Sequence, residues 1–157
     1  MAAAIFDTLQ RALVCAAGPA QAVHGLLVCQ LKPDELLATA QRLKNEFGFD
    51  ILLDVTAIDW LGQAPRFEVV HHFYSTLHKQ RVRLKTRVEA ASPVVASLLP
   101  LYGSAGFMER ECHDMYGIRF DGHPDLRPIL LYEGFVGHPL RKDYPKQQEQ
   151  PLVPYRS

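Results

Sequence analysis

The chain has 157 residues, 48% hydrophobic and 22% charged, with 17 Lys plus Arg balancing 17 Asp plus Glu. Such a composition fits one ordinary globular domain, and zero formal net charge gives no global field to attract nucleic acid or an anionic membrane. Cys15, Cys29 and Cys112 are odd in number, widely spaced and without a C-x-x-C pair, which argues against a disulfide framework or cysteine-held cluster and for a reducing compartment.

In chain order, Ile5, Leu9 and Leu13 share one helical stripe and predict a short helix over 5–14, ended by Gly18-Pro19. Asp7 interrupts this stretch, and no cationic run precedes an apolar one, so neither a signal peptide nor an Arg-rich transit segment is expected. Gly25 to Leu31 reads as a buried strand. A helix follows, with Pro33 near its first position, Asp34 and Glu35 in its first turn and Gly48 just past its end; Leu36, Ala40, Leu43 and Phe47 form its buried face. Ile51 to Ile58 is the next strand, and Asp59-Trp60-Leu61-Gly62 opens a turn closed by Pro65.

Phe67 to Leu77 and Gln80 to Val88 are expected to pair as a hairpin, with Phe67, Val69, His71 and Phe73 on one face of the first strand. Ser92 and Pro93 predict the N-cap and first turn of a short helix through Leu99, and a loop from Pro100 to Gly106 leads into a further helix. No run reaches the roughly 20 apolar residues that cross a membrane, so membrane attachment would run through other proteins. Helices mixed with consecutive strands imply an α+β fold, a two-layer domain over 1–120 with helices packed on a mixed sheet, followed by an extended arm over 121–157.

Lys79, Arg81, Arg83, Lys85 and Arg87 fall at alternate positions, which places five cations on one strand face about 6.6–6.8 Å apart. A solvated edge or sheet face is the favoured reading. A docking face for an acidic subunit and a nucleic-acid groove are the alternatives, and the second would want stacking aromatics that this strand lacks.

Cys112, His113, Asp114, His123, Asp125 and His138 invite a metal or hydrolytic reading, but their spacing is wrong for one. Cys112 and His113 are adjacent and point to different helix faces, while His123 and His138 each precede a proline. Cys112 also lies on an apolar stripe with Met108 and Met115, where a thiol is inert. His71 and His72 point to opposite faces of their strand. No phosphate loop, flavin fingerprint or nicotinamide fingerprint is present.

The most distinctive stretch runs from Glu109 to Tyr144. It opens on the last turns of a helix ended by Gly117, with Arg110 and Asp114, and Glu109 and His113, each four residues apart and able to meet. Ile118 to Phe120 then meets an Asp121-Gly122 turn, and His123-Pro124 and His138-Pro139 bias the chain toward extended geometry. Six of the eleven prolines lie between Asp121 and Ser157. Ordering such a segment costs roughly 1–2 kcal/mol per residue of backbone entropy, so 146–157 is expected to be disordered and 122–144 to be ordered by a partner surface.

Three ordered motifs, E-R-E-x-x-D-M-Y-G-I, G-H-P-D-L-R-x-I-L and G-H-P-L-R-K-D-Y-P, resemble the C subunit of NADH:quinone oxidoreductase, respiratory complex I, the 30-kDa subunit family. The L-x-D-x-T-x-x-D, F-x-V-x-H and R-V-R-L-K blocks extend the likeness over most of the chain after residue 30, with one departure at Pro128, where the family carries a second arginine. The resemblance implies a non-catalytic scaffold subunit of the hydrophilic arm, on the cytoplasmic side of a bacterial inner membrane. This chain would bind no cofactor, its partners carrying the iron–sulfur clusters and FMN.

The partners so implied are the D-type quinone-site subunit and the iron–sulfur subunits. The contacting residues would be Glu109, Arg110, Glu111, Asp114, Met115, Gly117, His123, Pro124, Asp125, Leu126, Arg127, His138, Pro139, Leu140, Arg141, Lys142, Asp143 and Tyr144. Their charged members would form fixed ion pairs within and between chains. Rival readings are the equivalent subunit of a related membrane-bound hydrogenase or dehydrogenase, an independent metal-dependent enzyme built on the His-Pro segments, and a nucleic-acid module.

Overall fold

A computed structural model describes residues 2–15, 18–147 and 150. Helix α1 (Ala2–Ala12) leads into the short strands β1 (Val14–Cys15), β2 (Gly18–Pro19) and β3 (Gln21–Val23), then β4 (Leu26–Leu31). A 3-10 turn at Pro33–Glu35 starts α2 (Leu36–Asn45), and β5 (Ile51–Asp59), β6 (Phe67–Ser75) and β7 (Gln80–Val88) follow. The remaining elements are β8 (Val94–Ala96), α3 (Ala105–Tyr116) and β9 (Arg119–Asp121).

The main sheet has the order β3-β4-β7-β6-β5, with β4 and β7 parallel and the other neighbours antiparallel. A parallel pair needs a long crossover, and here it carries α2 and the β5–β6 hairpin. Leu36, Ala40 and Leu43 of α2 and Ala105 and Cys112 of α3 pack on Leu27, Leu52, Phe67, Phe73 and Leu84 of the sheet in one buried core. The expected α+β layering of helices on a mixed sheet is what forms.

Three expectations are corrected in whole or in part. The segment after Pro93 is strand β8, not a helix, and pairs in parallel with β9, Val95 opposite Phe120. The β-branched pair Val94-Val95 and a waiting partner strand outweigh the capping signal of Ser92. Secondly, β7 is the central strand of the sheet, so of the two expected settings, edge or face, its cations take the face, and Lys79 lies in the turn before it. Thirdly, Cys29 is disulfide-bonded, although number and spacing argued against a disulfide framework.

Glu109, expected at a partner interface, has its side chain fully buried within the chain. It accepts from Ser97 Oγ at 2.6 Å and Leu98 N at 2.7 Å, fixing the turn after β8 to α3. Burial pushes its carboxyl above the usual range, and these two donors pull it back.

A bulge in β5 determines which side chain reaches the site. Leu52 pairs with Phe73 and Asp54 with His72, so Leu53 is an extra residue. The inserted residue shifts the inward phase to Val55, Ala57 and finally Asp59. A carboxylate thus ends up buried at the strand terminus, facing the helices.

Candidate functional site

Helix α3 and the arm after β9 form one structure. The helix ends at Gly117, whose φ of 73° is left-handed and whose N–H caps His113 O at 2.7 Å. A side chain at Gly117 would also collide with His138 and Arg141, so both backbone angle and close approach require glycine here.

Those two collision partners belong to the second His-Pro motif. A helix leaves its last carbonyls without intrahelical donors. Here the ring Nδ1 of His138 meets Asp114 O at 2.9 Å, Leu140 N donates to Met115 O at 3.2 Å, and Arg141 Nε donates to Tyr116 O at 2.6 Å. The motif Gly-His-Pro-Leu-Arg is therefore a helix cap supplied from 22 or more residues away. Arg141 adds a cation where the helix dipole is negative.

Further anchors hold the arm on either side of this cap. Three consecutive amides, of Ile129, Leu130 and Leu131, converge on one oxygen of Asp114 at 3.1, 2.9 and 2.9 Å. One turn earlier, Arg110 donates to the carbonyls of Arg127 and Pro128, both at 3.0 Å. The expected Arg110–Asp114 and Glu109–His113 pairs do not form, because each of these side chains is spent on other groups; His113 Nδ1 meets Ile118 O at 2.8 Å. Nearer β9, His123 Nε2 reaches Gly106 O at 3.1 Å and its Nδ1 accepts from Asp125 N at 3.1 Å.

The far end of the arm returns to the sheet. Asp59, 3% exposed, accepts from Arg66 Nε and Nη2 at 2.8 and 2.7 Å and from Lys142 N at 2.8 Å. Arg66 also donates to both oxygens of Asp143 at 2.8 and 2.7 Å. Hydrogen bonds from Arg66 hold the Asp59 and Asp143 carboxyls below the usual range. The guanidinium groups of Arg66 and Arg141 both lie over the Phe67 ring, 4.9 and 5.0 Å from its centre.

Asp59 and Arg66 are the functional residues that the sequence reading overlooked, though Asp59 is the last acid of the L-x-D-x-T-x-x-D block. We expect Asp59→Ala to cost about 2 kcal/mol, less than a fully broken buried pair because Asp143 still holds Arg66. Chemical denaturation with hydrogen exchange at Lys142 checks this; unchanged protection at that amide would refute the tie.

With its backbone spent on α3, the arm turns side chains outward. Leu130, Val136 and Leu140 are 62, 70 and 51% exposed, and Phe107 of α3 is 67% exposed. Tyr132 meets the Phe135 ring edge to face and Phe135 stacks on Tyr144, which also lies against Gly137. A cleft of about 400 Å³ separates this aromatic row from His113 and His138. Among the described residues the Arg127 side chain pairs with the nearby Asp125 alone, at 2.7 Å, and Glu111, Pro124 and the Lys142 side chain are exposed. Met115 is buried and Leu126 packs against the core.

Among the described residues, no three His, Cys, Asp or Glu side chains are placed to hold a metal ion, and no helix is long and apolar enough to cross a membrane. The segment 122–144 is expected from its composition to be ordered by a partner surface; within the chain itself, 123–143 are already tied to α3 and the sheet by the bonds above. The disorder expected for 146–157 falls largely on residues outside those described.

Comparison with known proteins gives this arrangement its context. The family described as the respiratory-chain NADH dehydrogenase 30-kDa subunit matches residues 29–150. The NADH-quinone oxidoreductase C subunit of Trichlorobacter lovleyi is 48% identical over 125 residues, covering 79% of this chain and 77% of that protein. A second C subunit, from Rhizobium meliloti, is 43% identical, covering 79% and 69%. In structure the chain is similar to a trypsin-resistant fragment of Nqo5, with a TM-score of 0.68 at 29% identity over 80% of this chain and all of that one. A chain of an archaeal membrane-bound sulfane sulfur reductase shares the fold alone, with a TM-score of 0.70 at 20% identity over 92% of this chain and 85% of that one. From motifs, fold and these relatives together, the chain belongs to the 30-kDa subunit family of respiratory-chain NADH dehydrogenase, the C subunits of NADH-quinone oxidoreductase.

Proposed function

We propose that this chain is a non-catalytic scaffold of the hydrophilic arm of the complex, and that its C-terminal arm is the surface on which a D-type quinone-site subunit and iron–sulfur subunits are positioned. The single observation behind this reading is the division of labour in the arm. Its backbone is satisfied by Arg110, Asp114 and the end of α3, while Leu130, Val136 and Leu140 stand exposed. Apolar side chains on a preordered backbone suit a docking surface, because little entropy is left to lose on binding. His138, Arg141 and Asp114 spend polar atoms on the backbone of α3 and the arm, which supports a positioning role.

The chemistry then belongs to the neighbours, which carry the iron–sulfur clusters and FMN. Fixed spacing between cluster-bearing and quinone-site subunits sustains electron flow from NADH to quinone coupled to proton translocation. The chain reaches the cytoplasmic face of the membrane through those neighbours.

Each exposed Leu or Val that becomes buried contributes about 1.5–3 kcal/mol. We expect the double variant Leu130→Asp/Val136→Asp to fold with unchanged circular dichroism yet to co-purify with the complex at least 10-fold less well. Normal yield of intact complex carrying this variant would overturn the arm as the docking surface.

A further inference from the structure

The sheet face turned away from α2 and α3 has no part in the arm. Its residues are fixed by register: Arg87 lies opposite Glu68, Lys85 opposite Val70, Arg83 opposite His72 and Arg81 opposite Tyr74. On the other flank of β7, Arg83 and Lys85 face Val28 and Gln30 of β4. Along β5 this face carries Asp54 and the apolar Ile51 and Ile58, with the bulged Leu53 beside them; these three are 38, 37 and 41% exposed. Four cations therefore stand on the middle strand of this face, beside the buried Glu68 and Val70 of β6, with Asp54 exposed on β5.

The cations divide into two kinds. Lys85 Nζ holds Glu68 at 2.8 Å, and Arg87 is 3.8 Å from the same carboxylate, lies over the Trp60 ring at 5.0 Å and donates to Pro65 O at 3.2 Å. Arg81 and Arg83 have no carboxylate partner among the described residues, and the Nε of Arg83 is buried with no acceptor. A buried donor without a partner is uncommon in folded proteins. Half-buried His72, beside both arginines, has its pKa lowered by burial and then by the charge of Arg83. The centre of the face is thus a positive surplus that its own strands leave uncompensated.

We propose that this open sheet face docks an acidic segment of a neighbouring protein, whose carboxylates meet Arg81 and Arg83 while its apolar side chains cover Ile51, Leu53 and Ile58. Charge complementarity selects the occupant. Alternate residues on β7 repeat at about 6.6–6.8 Å, which is also the repeat of carboxylates on alternate residues of an extended segment. Guanidinium forks suit paired carboxylate oxygens better than a diffuse field does. A nucleic acid would want a row of stacking rings, and the face offers one free tyrosine, Tyr74. Anionic lipid suits protruding lysines, whereas Arg83 is half-buried among β-strands.

This contact is separate from the one made by the arm, and the test keeps the two apart. A photo-crosslinking residue, p-benzoylphenylalanine, replaces Leu53 in one full chain and Leu130 in another, each incorporated into the assembled complex. Irradiation from position 53 is expected to label a protein segment rich in Asp or Glu. Arg81→Glu/Arg83→Glu is expected to reduce that label at least 10-fold and to leave the label from position 130 unchanged. The milder Arg81→Gln/Arg83→Gln is expected to give an intermediate loss and guards against misfolding of the reversed pair.

Labelling of lipid or nucleic acid, of a segment without acidic residues, of no partner, or at full yield in both charge variants would each overturn the proposal. Loss of the label at 130 with that at 53 intact would instead count against the arm reading alone.

Discussion

Asp114→Ala should speed amide exchange at Ile129, Leu130 and Leu131 by about 100–1,000-fold while leaving the sheet amides nearly unchanged. Three N–H groups converge on a single oxygen of this side chain. A hydrogen bond to a charged acceptor contributes about 1.5–3 kcal/mol, and three sharing one oxygen are not additive, so a joint loss of about 3–4 kcal/mol is the reasonable scale. Dividing by about 1.4 kcal/mol per decade gives the exchange factor.

The freed amides lie near solvent and can be rehydrated, so the loss is local opening of the arm and not collapse of the domain. Asp114→Asn keeps one carbonyl acceptor and should fall between parent and alanine variant. Arg127→Ala is the contrasting change. Its side chain is 81% exposed and, among the described residues, pairs with Asp125 alone, two residues away. In the isolated chain it should leave exchange at 129–131 as it was, so any assembly defect would come from a partner. Parent-like exchange in Asp114→Ala would show that the convergence of amides does not hold the arm.

What the sequence disclosed and what it hid follow from the range of the interactions. β7 runs over Gln80–Val88 as its alternation indicated, and α3 stops at Gly117 because periodicity and a glycine cap are local signals. The bulge at Leu53 is equally local in structure but silent in composition, and it moved Asp59 from a presumed turn into a buried tie to the arm. The pair Val94-Val95 became a strand only because Phe120 lies alongside it.

The arm's own contacts were hidden for the same reason. Proline-rich composition correctly implied little secondary structure, yet its backbone partners are side chains and carbonyls of α3, 15 to 25 positions earlier in the chain. His138 shows the point well. Pattern reading gives a residue before proline an extended bias, whereas its Nδ1 completes the end of a helix.

Acid should weaken the domain through His71 well before its carboxylates titrate. This residue is fully buried on β6, between Val69 and Phe73 on the core face, and neither ring nitrogen has a hydrogen-bond partner among the described residues. Desolvation, with a smaller contribution from the charge of His72, brings its pKa down from 6.5 to about 3. The folded state therefore resists a proton that the unfolded chain accepts. Stability is fully present above about pH 6.5 and is lost as pH falls from there toward 3. One such group removes about 2.5 kcal/mol between pH 7 and pH 4.5, a large share of a small domain's total.

Other groups act in narrower or opposing ranges. His72 has a lowered pKa and adds a loss of the same sign, while Asp59, Asp143 and Asp50, also lowered, begin to matter only near and below 3.8. Glu109, raised above 4.5, favours the folded state as pH falls and partly offsets them. The difference between parent and His71→Leu isolates the histidine. At pH 7 the leucine variant should be at least as stable, since it removes two unpaired polar atoms from the core. Urea midpoints measured at intervals between pH 7 and 4.5 should fall for the parent and lose most of that slope in the variant. Parallel curves for the two proteins would mean that the buried imidazole is not the group responsible.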